Sequence, residues 1–466
     1  MRAWRAGLPV SIGLTLLIGL LSLLNPRLSR AEPQAQLVTV EHTTLEDFNR
    51  GTFDRTGMTR LADGEVTLLR IGIAGEWITT TNSTGLIPRF EHASVAHNNF
   101  LYVFGGRTGS GSLRSIQYAA INTDTHDLSN WSTAAATLGT ALYPHTTGTY
   151  TGVKGIAAAV LHGRVYLMGG ENGDQSFYYN TVSFGKLNPD TGSVGALTAT
   201  ASLPKALSNG QVAVLGNRLY FFGGRSAPNN QGNDEVYYAS PDPATGVITS
   251  WHTATARLPY KTYGHMSVAT VNGRLYTLAG ANVSTIGGIR ADINVATPLT
   301  DTGDITAWLP INSLPRNIFG GAITSFGGQL YVIGGAWDNI NQPVNEVLAA
   351  LEDTSGSTLT WATTSYITPV RLLHSAVVNA DGWIYVVGGS QGQNQPIQQH
   401  IVNAGATTGQ SGSAYVDQGY YLGDVFDIGR DYPLRALQWT IDLPNPAVVT
   451  ASLRYRYQLA GSSAFS

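Results

Sequence analysis

Six basic side chains recur at one phase of this sequence. Arg89, Lys154, Lys205, Lys261, Arg316 and Arg371 each stand shortly before a run of small or apolar residues, and His92, His265 and His374 open three of those runs. Cations brought round one opening focus positive potential and hold carboxylates or hydroxyl groups by charge-assisted hydrogen bonds. On that reading the nine residues bind an anionic or hydroxyl-rich ligand such as an acidic sugar. The plainer reading stands beside it: the basic residues belong to connecting loops, where they bond backbone carbonyls or meet water. Three histidines suggest a metal, but they are spread round a ring without supporting carboxylates. They read instead as hydrogen-bond donors lining a channel, with no metal and no cofactor. Glu91 beside His92 is the one carboxylate–imidazole pair near such a position. Neighbours on a strand face opposite ways, so the two would not normally cooperate, and no catalytic residue is assigned.

What must position these residues is a repeat. A tyrosine stands three residues before a glycine pair at Tyr102, Tyr166, Tyr220, Tyr331 and Tyr385, and Tyr276 precedes Ala279-Gly280 in the same way. A period of about 50 residues marks a propeller or solenoid, in which each unit is a small sheet that needs neighbours to cover its faces. Before each pair lies a hairpin of two short apolar strands, turning at Asn98-Asn99, His162-Gly163 or Asn272-Gly273. Their apolar residues are continuous, as expected of strands covered on both sides. Trp131, Trp251, Trp308 and Trp361 begin outer strands that lead to Pro144, Pro259, Pro315 and Pro369, and Leu197 takes the tryptophan position before Pro204. Turns such as Asp301-Thr302-Gly303 precede several of these strands. They lack the dense oxygen ligands of a calcium loop and read as turn chemistry.

In this order the residues resemble the kelch family: apolar strand, hairpin, Leu-Tyr-x-x-Gly-Gly, polar loop, strand, tryptophan strand, Leu-Pro. The match runs from Trp77 to Gly409, with Ala279 for one glycine and Leu197 for one tryptophan. The resemblance implies an all-β, kelch-type β-propeller. Gly388-Gly389 has no tryptophan strand after it, whereas Trp77 and Pro88 form an unpaired outer strand ahead of the first hairpin. Joined, the two halves complete one sheet, which predicts six blades closed by an N-terminal strand. Propellers resembling galactose oxidase use copper and a tyrosine crosslinked to cysteine. This chain has no cysteine, so that chemistry is excluded. Other six-bladed kelch proteins resemble sialic-acid epimerases, and that likeness implies a sugar-acid epimerase or lyase acting in the channel.

The rest of the chain bounds the setting. Among 466 residues, 43% are apolar and 12% charged, and the net charge of -3 offers no basic field for nucleic acid. Arg2 and Arg5 precede an apolar run from Leu8 to Leu24 and then Ser29-Arg30-Ala31. That is the pattern of an export signal over residues 1–31, with membrane anchorage through residues 8–24 as the alternative. Residues 74–409 carry the propeller. Segments 32–73 and 410–466 read as pieces of a β-sandwich, with Asp47–Phe53 and Tyr420–Gly429 as candidate strands. The second piece has too few strands to close a sandwich and reads as a fragment. Loops after the glycine pairs are long and polar on one face, and loops on a rigid scaffold carry binding residues. The sequence therefore predicts an exported or envelope-bound recognition module for a glycan or protein, with the channel enzyme as its rival.

Overall fold

The computed structural model describes residues 77–405 except 81–83, 146–150, 227–230, 263, 265, 272, 282–287, 327–328, 338–341, 353–357, 380–381 and 393–401. Outside that span it describes the strands Ile12–Leu17, Leu37–His42, Thr52–Asp54, Thr56–Thr59, Glu65–Leu68, Tyr420–Leu422 and Ala436–Ile441. Every named element is a strand. Five four-stranded antiparallel blades follow one another along the chain, with inner strands Ala93–His97, Ala157–Leu161, Gln211–Leu215, Ser267–Val271 and Ala322–Phe326. The arrangement is a β-propeller. Six blades are expected, the last closed by an N-terminal strand; five are found as continuous four-stranded units. A further four-stranded sheet is composite: Ser375–Val378, Trp383–Val387 and Val402–Gly405 come from one end, and Ile78–Thr79 is added from the other. Val402 pairs with Thr79 and Asn403 with Ile78. The repeat breaks here: no tryptophan follows Gly388-Gly389 at the outer-strand position, and the edge is covered by the segment that Trp77 begins. Trp77 Nε1 donates to Ser365 Oγ at 2.8 Å and ties that segment to the fifth blade.

The repeated residues fasten each sheet to its neighbour. In the second blade a Cβ on Gly169 would stand 2.3 Å from the Leu207 carbonyl oxygen of the third, and Gly169 and Gly170 both have positive φ. Only glycine meets both demands without strain. The buried tyrosines span the same gaps at the opposite end. Tyr166 Oη donates to Gly246 O and Tyr220 Oη to Gly303 O, each at 2.9 Å, and Tyr385 Oη donates to His126 O at 3.0 Å. Each acceptor is a positive-φ residue in the turn between the third and fourth strands of the next blade. The residue two before the tyrosine covers that turn: Phe100 over Gly192, Arg164 over Gly246, Arg218 over Gly303. Where the composite sheet meets the first blade, Trp383 stacks on His126 at 4.0 Å. The aspartate–glycine turns are thus docking points for the preceding blade, and among the described residues no group of side chains is arranged to hold a metal ion.

The flanks add strands outside the propeller. Within the apolar run, Ile12–Leu17 is a strand between Leu37–His42 and Ala436–Ile441, and Arg2, Arg5 and Ser29–Ala31 lie outside the described residues. Gly13 and Thr15 weaken helical preference there, and two strands are available to pair. Among the described residues no helix is long and apolar enough to cross a membrane. Thr52–Asp54 pairs with Tyr420–Leu422, setting Phe53 opposite Tyr421, so the chain on either side of the propeller meets in one small sheet. The alternating segment Val449–Tyr455, which also reads as a strand in the sequence, lies outside the described residues.

If the tyrosine hydroxyls act as clasps, deleting them has unequal effects. Tyr166→Phe and Tyr220→Phe each lower stability by about 1 kcal/mol, since a buried carbonyl loses its donor. Tyr102→Phe costs nothing or stabilises, because the Tyr102 hydroxyl is buried with no partner. Urea unfolding of the three variants separates the cases.

Candidate functional site

The connections entering five of the six inner strands each make one residue of left-handed backbone. Glu91, Gly155, Asn209, Gly320 and Leu373 have φ between 52° and 62°. These residues bond head to tail round the axis: Leu373 N to Gly320 O at 2.7 Å, Glu91 N to Leu373 O at 3.1 Å, Gly155 N to Glu91 O at 2.9 Å and Asn209 N to Gly155 O at 2.8 Å. The result is a collar of main chain at the end of the channel where the loops after the glycine pairs also emerge. Glycine or asparagine suits such a position, whereas leucine and glutamate occupy it under strain, a feature that concentrates at functional sites.

A cavity of about 70 Å³ sits at this collar. Glu91, His92, Asn209, Gln211, Ser267 and His374 supply its polar lining, and Gly155, Gly210, Gly320 and Gly321 bring backbone to its wall. Of the nine residues expected there, His92 and His374 line it, and none of the six cations does. Arg89 and Arg371 are fully buried. Arg89 donates to Gly105 O at 2.8 Å and Ile87 O at 3.1 Å, and to Gln117 Oε1; Arg371 donates to Gly388 O at 3.1 Å. Burial lowers both to about 10, still protonated at neutral pH. Lys205 is half-exposed and paired with Glu235 Oε2 at 2.5 Å, Lys261 is exposed, and Arg316 is exposed and stacked over Trp337 at 4.2 Å. His265 lies outside the described residues.

These cations share a sequence phase but not a structural position. The amide of the second glycine in a pair donates to Arg89 O, Arg371 O, Val153 O or Leu207 O, which makes those four residues equivalent. Lys154 is therefore one residue late and Lys205 two early. That single shift turns Lys154 into another environment. Its Nζ, almost wholly buried, lies 2.9 Å from Glu91 Oε2 and 2.6 Å from Glu171 Oε1. Arg225 Nη2 reaches the same Glu171 oxygen at 2.6 Å, and Arg107 Nε lies 3.1 Å from Glu91 Oε2. Five charges of alternating sign, Arg107–Glu91–Lys154–Glu171–Arg225, thus run across the first three blades beside the collar. The positions that follow the glycine pairs in the remaining three sheets are Ala281, Ala336 and Ser390, so the charges occupy half the ring. Glu171 and Arg225 were legible only as loop starts. Their pairing depends on Lys154, which strand phase alone does not orient.

The histidines wedge between sheets. His92 Nε2 lies 2.8 Å from Ser375 Oγ, and the ring covers Gly388 of the composite sheet; His374 covers Gly334 of the fifth blade in the same way. Burial, reinforced by the nearby Arg89 and His374 for His92 and by Arg371 for His374, pushes both imidazoles down to about 3. Both are neutral at physiological pH.

No family model matches this chain, and nothing among the curated proteins matches it. Among solved structures it is similar to YjhT, at 14% identity and a TM-score of 0.51, over 69% of this chain and 97% of that one. At that identity the likeness concerns the fold alone, a β-propeller.

Two measurements check this account of the collar. Above about pH 6.5 both histidines are neutral folded and unfolded, and their contribution to stability is complete; below it the unfolded chain takes up protons that the folded one refuses. Stability therefore falls from pH 6.5 toward pH 3, by up to about 1.4 kcal/mol per pH unit for each histidine, and His92→Gln flattens the slope. Glu171→Gln removes a carboxylate that two buried cations share and lowers stability by about 3–5 kcal/mol in denaturant titrations, against less than about 1 kcal/mol for Lys205→Ala at an exposed pair.

Proposed function

We propose that this protein is an exported recognition module, a kelch-type ring that binds a glycan or a protein through the face bearing the loops after the glycine pairs. We count the composite sheet as its sixth blade and the flanking strands around Phe53 and Tyr421 as part of an accompanying sandwich. The observation that carries binding over catalysis is the condition of the ionisable groups at the collar. Glu91 is engaged by Lys154 and Arg107, and His92 and His374 are neutral and packed over glycine backbone. A general base needs a lone pair within reach of a substrate proton, and an anionic sugar needs cations facing it. The buried arginines are committed to carbonyls instead. A rigid ring with long polar loops on one face suits recognition.

A second reading, a sugar-acid epimerase or lyase in the channel, draws on Glu91, His92 and His374 lining one cavity. Incubation with N-acetylneuraminate followed by NMR separates the two. Recognition expects no turnover and glycan- or protein-array binding that persists in Glu91→Gln, checked for folding by its melting curve. Turnover by the wild type that is lost in the same folded variant overturns it. Export is tested separately, by recovering the chain outside the cytoplasmic membrane with its N-terminus at residue 32.

A further inference from the structure

The face just described carries an aromatic pile that rises from the core to the surface. Tyr143 is wholly buried, and Tyr179, 2% exposed, meets it edge-on at 5.0 Å. Above them Phe177, 37% exposed, lies 5.2 Å from Tyr179 and stacks on the exposed imidazole of His145, with centroids 3.4 Å apart and planes 22° from parallel. His145 comes from the long connection between the first two blades, and Phe177 from the loop after Gly169-Gly170. Two segments distant in sequence therefore meet to present aromatic surface to water. Core packing does not require the outer two rings, and an exposed aromatic surface rimmed by polar groups marks an interaction site.

The pile is fixed in place before any ligand arrives. Phe177 N donates to Asn172 Oδ1 at 3.2 Å, and Asn172 N donates to Phe177 O at 3.1 Å. Asn172 is fully buried, its Nδ2 donates to Ser176 Oγ at 2.8 Å, and its carbonyl accepts Ser112 Oγ at 3.2 Å. Tyr179 Oη donates to His145 O at 3.0 Å and holds the second segment. Little conformational entropy is left to lose on binding.

We infer that Phe177 and His145 form a stacking platform for the apolar face of a neutral pyranose, with Asp174, Gln175 and Ser176 at its rim to meet the sugar hydroxyls. The loop of residues 171–178 contains no cation, and its one carboxylate outside the ion chain is Asp174. An acidic glycan is therefore disfavoured. A cationic ligand is favoured by rings set at angles to form a box; here the outer rings are nearly parallel and make a flat step. The C–H edges of a pyranose carry slight positive charge and match the negative face of an aromatic ring. This inference rests on the recognition reading and narrows it to one ligand class and one part of the face.

Calorimetric titration of the full chain with cellohexaose, chitohexaose and polygalacturonate tests it. The expected result is binding of at least one neutral hexasaccharide, weakened about tenfold or more by Phe177→Ala, kept by Phe177→Trp, and unchanged by Val247→Ser, with melting temperatures alike. Neutral binding that is indifferent to Phe177→Ala overturns the inference, as does binding of polygalacturonate alone. Failure to bind any neutral probe also overturns it; the broader reading then survives only if an acidic glycan or a protein is bound, and falls with it if nothing is.

Discussion

Main chain meeting main chain across the gap between sheets is the constraint on which the rest of this molecule depends. At Gly169 the next blade's carbonyl approaches to a distance no Cβ would tolerate, and the same closeness recurs at Gly105 and Gly388. Neighbouring sheets can therefore exchange backbone hydrogen bonds directly, and the strands entering each blade are drawn toward the axis. The collar is a product of that approach. Glu91, Gly155 and Leu373 hold left-handed backbone with the N–H bonded to the member before and the C=O to the member after.

Charge is then distributed unevenly on a nearly symmetric frame. The first three blades place arginine, glutamate and arginine after their glycine pairs, and Lys154 links them; the other sheets place alanine or serine there. Buried ion pairs are weak sources of net stability, since desolvation offsets much of the attraction. Their value here is geometric. The chain engages the carboxylate of the strained Glu91 at the cavity wall and ties the start of the second blade's loop, Glu171, to Lys154 and Arg225.

Much of the scaffold could be read from residue spacing. Tyrosine, glycine and tryptophan recur because most blades repeat the packing that uses them, and a demand that repeats is visible in one dimension. The site was less legible for the converse reason. Arg89 and Lys154 look alike in a list of cations before apolar runs, yet one residue of offset sends the first into carbonyls and the second between two carboxylates. The role of the tyrosine hydroxyl was equally hidden, since its acceptor belongs to a turn about 80 residues further on. The aromatic pile needed coordinates too: His145 and Phe177 lie 32 positions apart, with no periodic signal to join them.

That composite sheet has a consequence for how the molecule comes into being. Ile78–Thr79 is synthesised before any blade, yet its partner strand, Val402–Gly405, follows more than 300 residues later. Within the propeller such a pairing carries the highest loop-closure cost, which favours its forming late. Until then the nascent chain is an open arc with two bare sheet faces, the species most prone to associate with copies of itself. The stacking of Trp383 on His126 crosses the same seam, so a single late event both shuts the circle and removes its vulnerable ends.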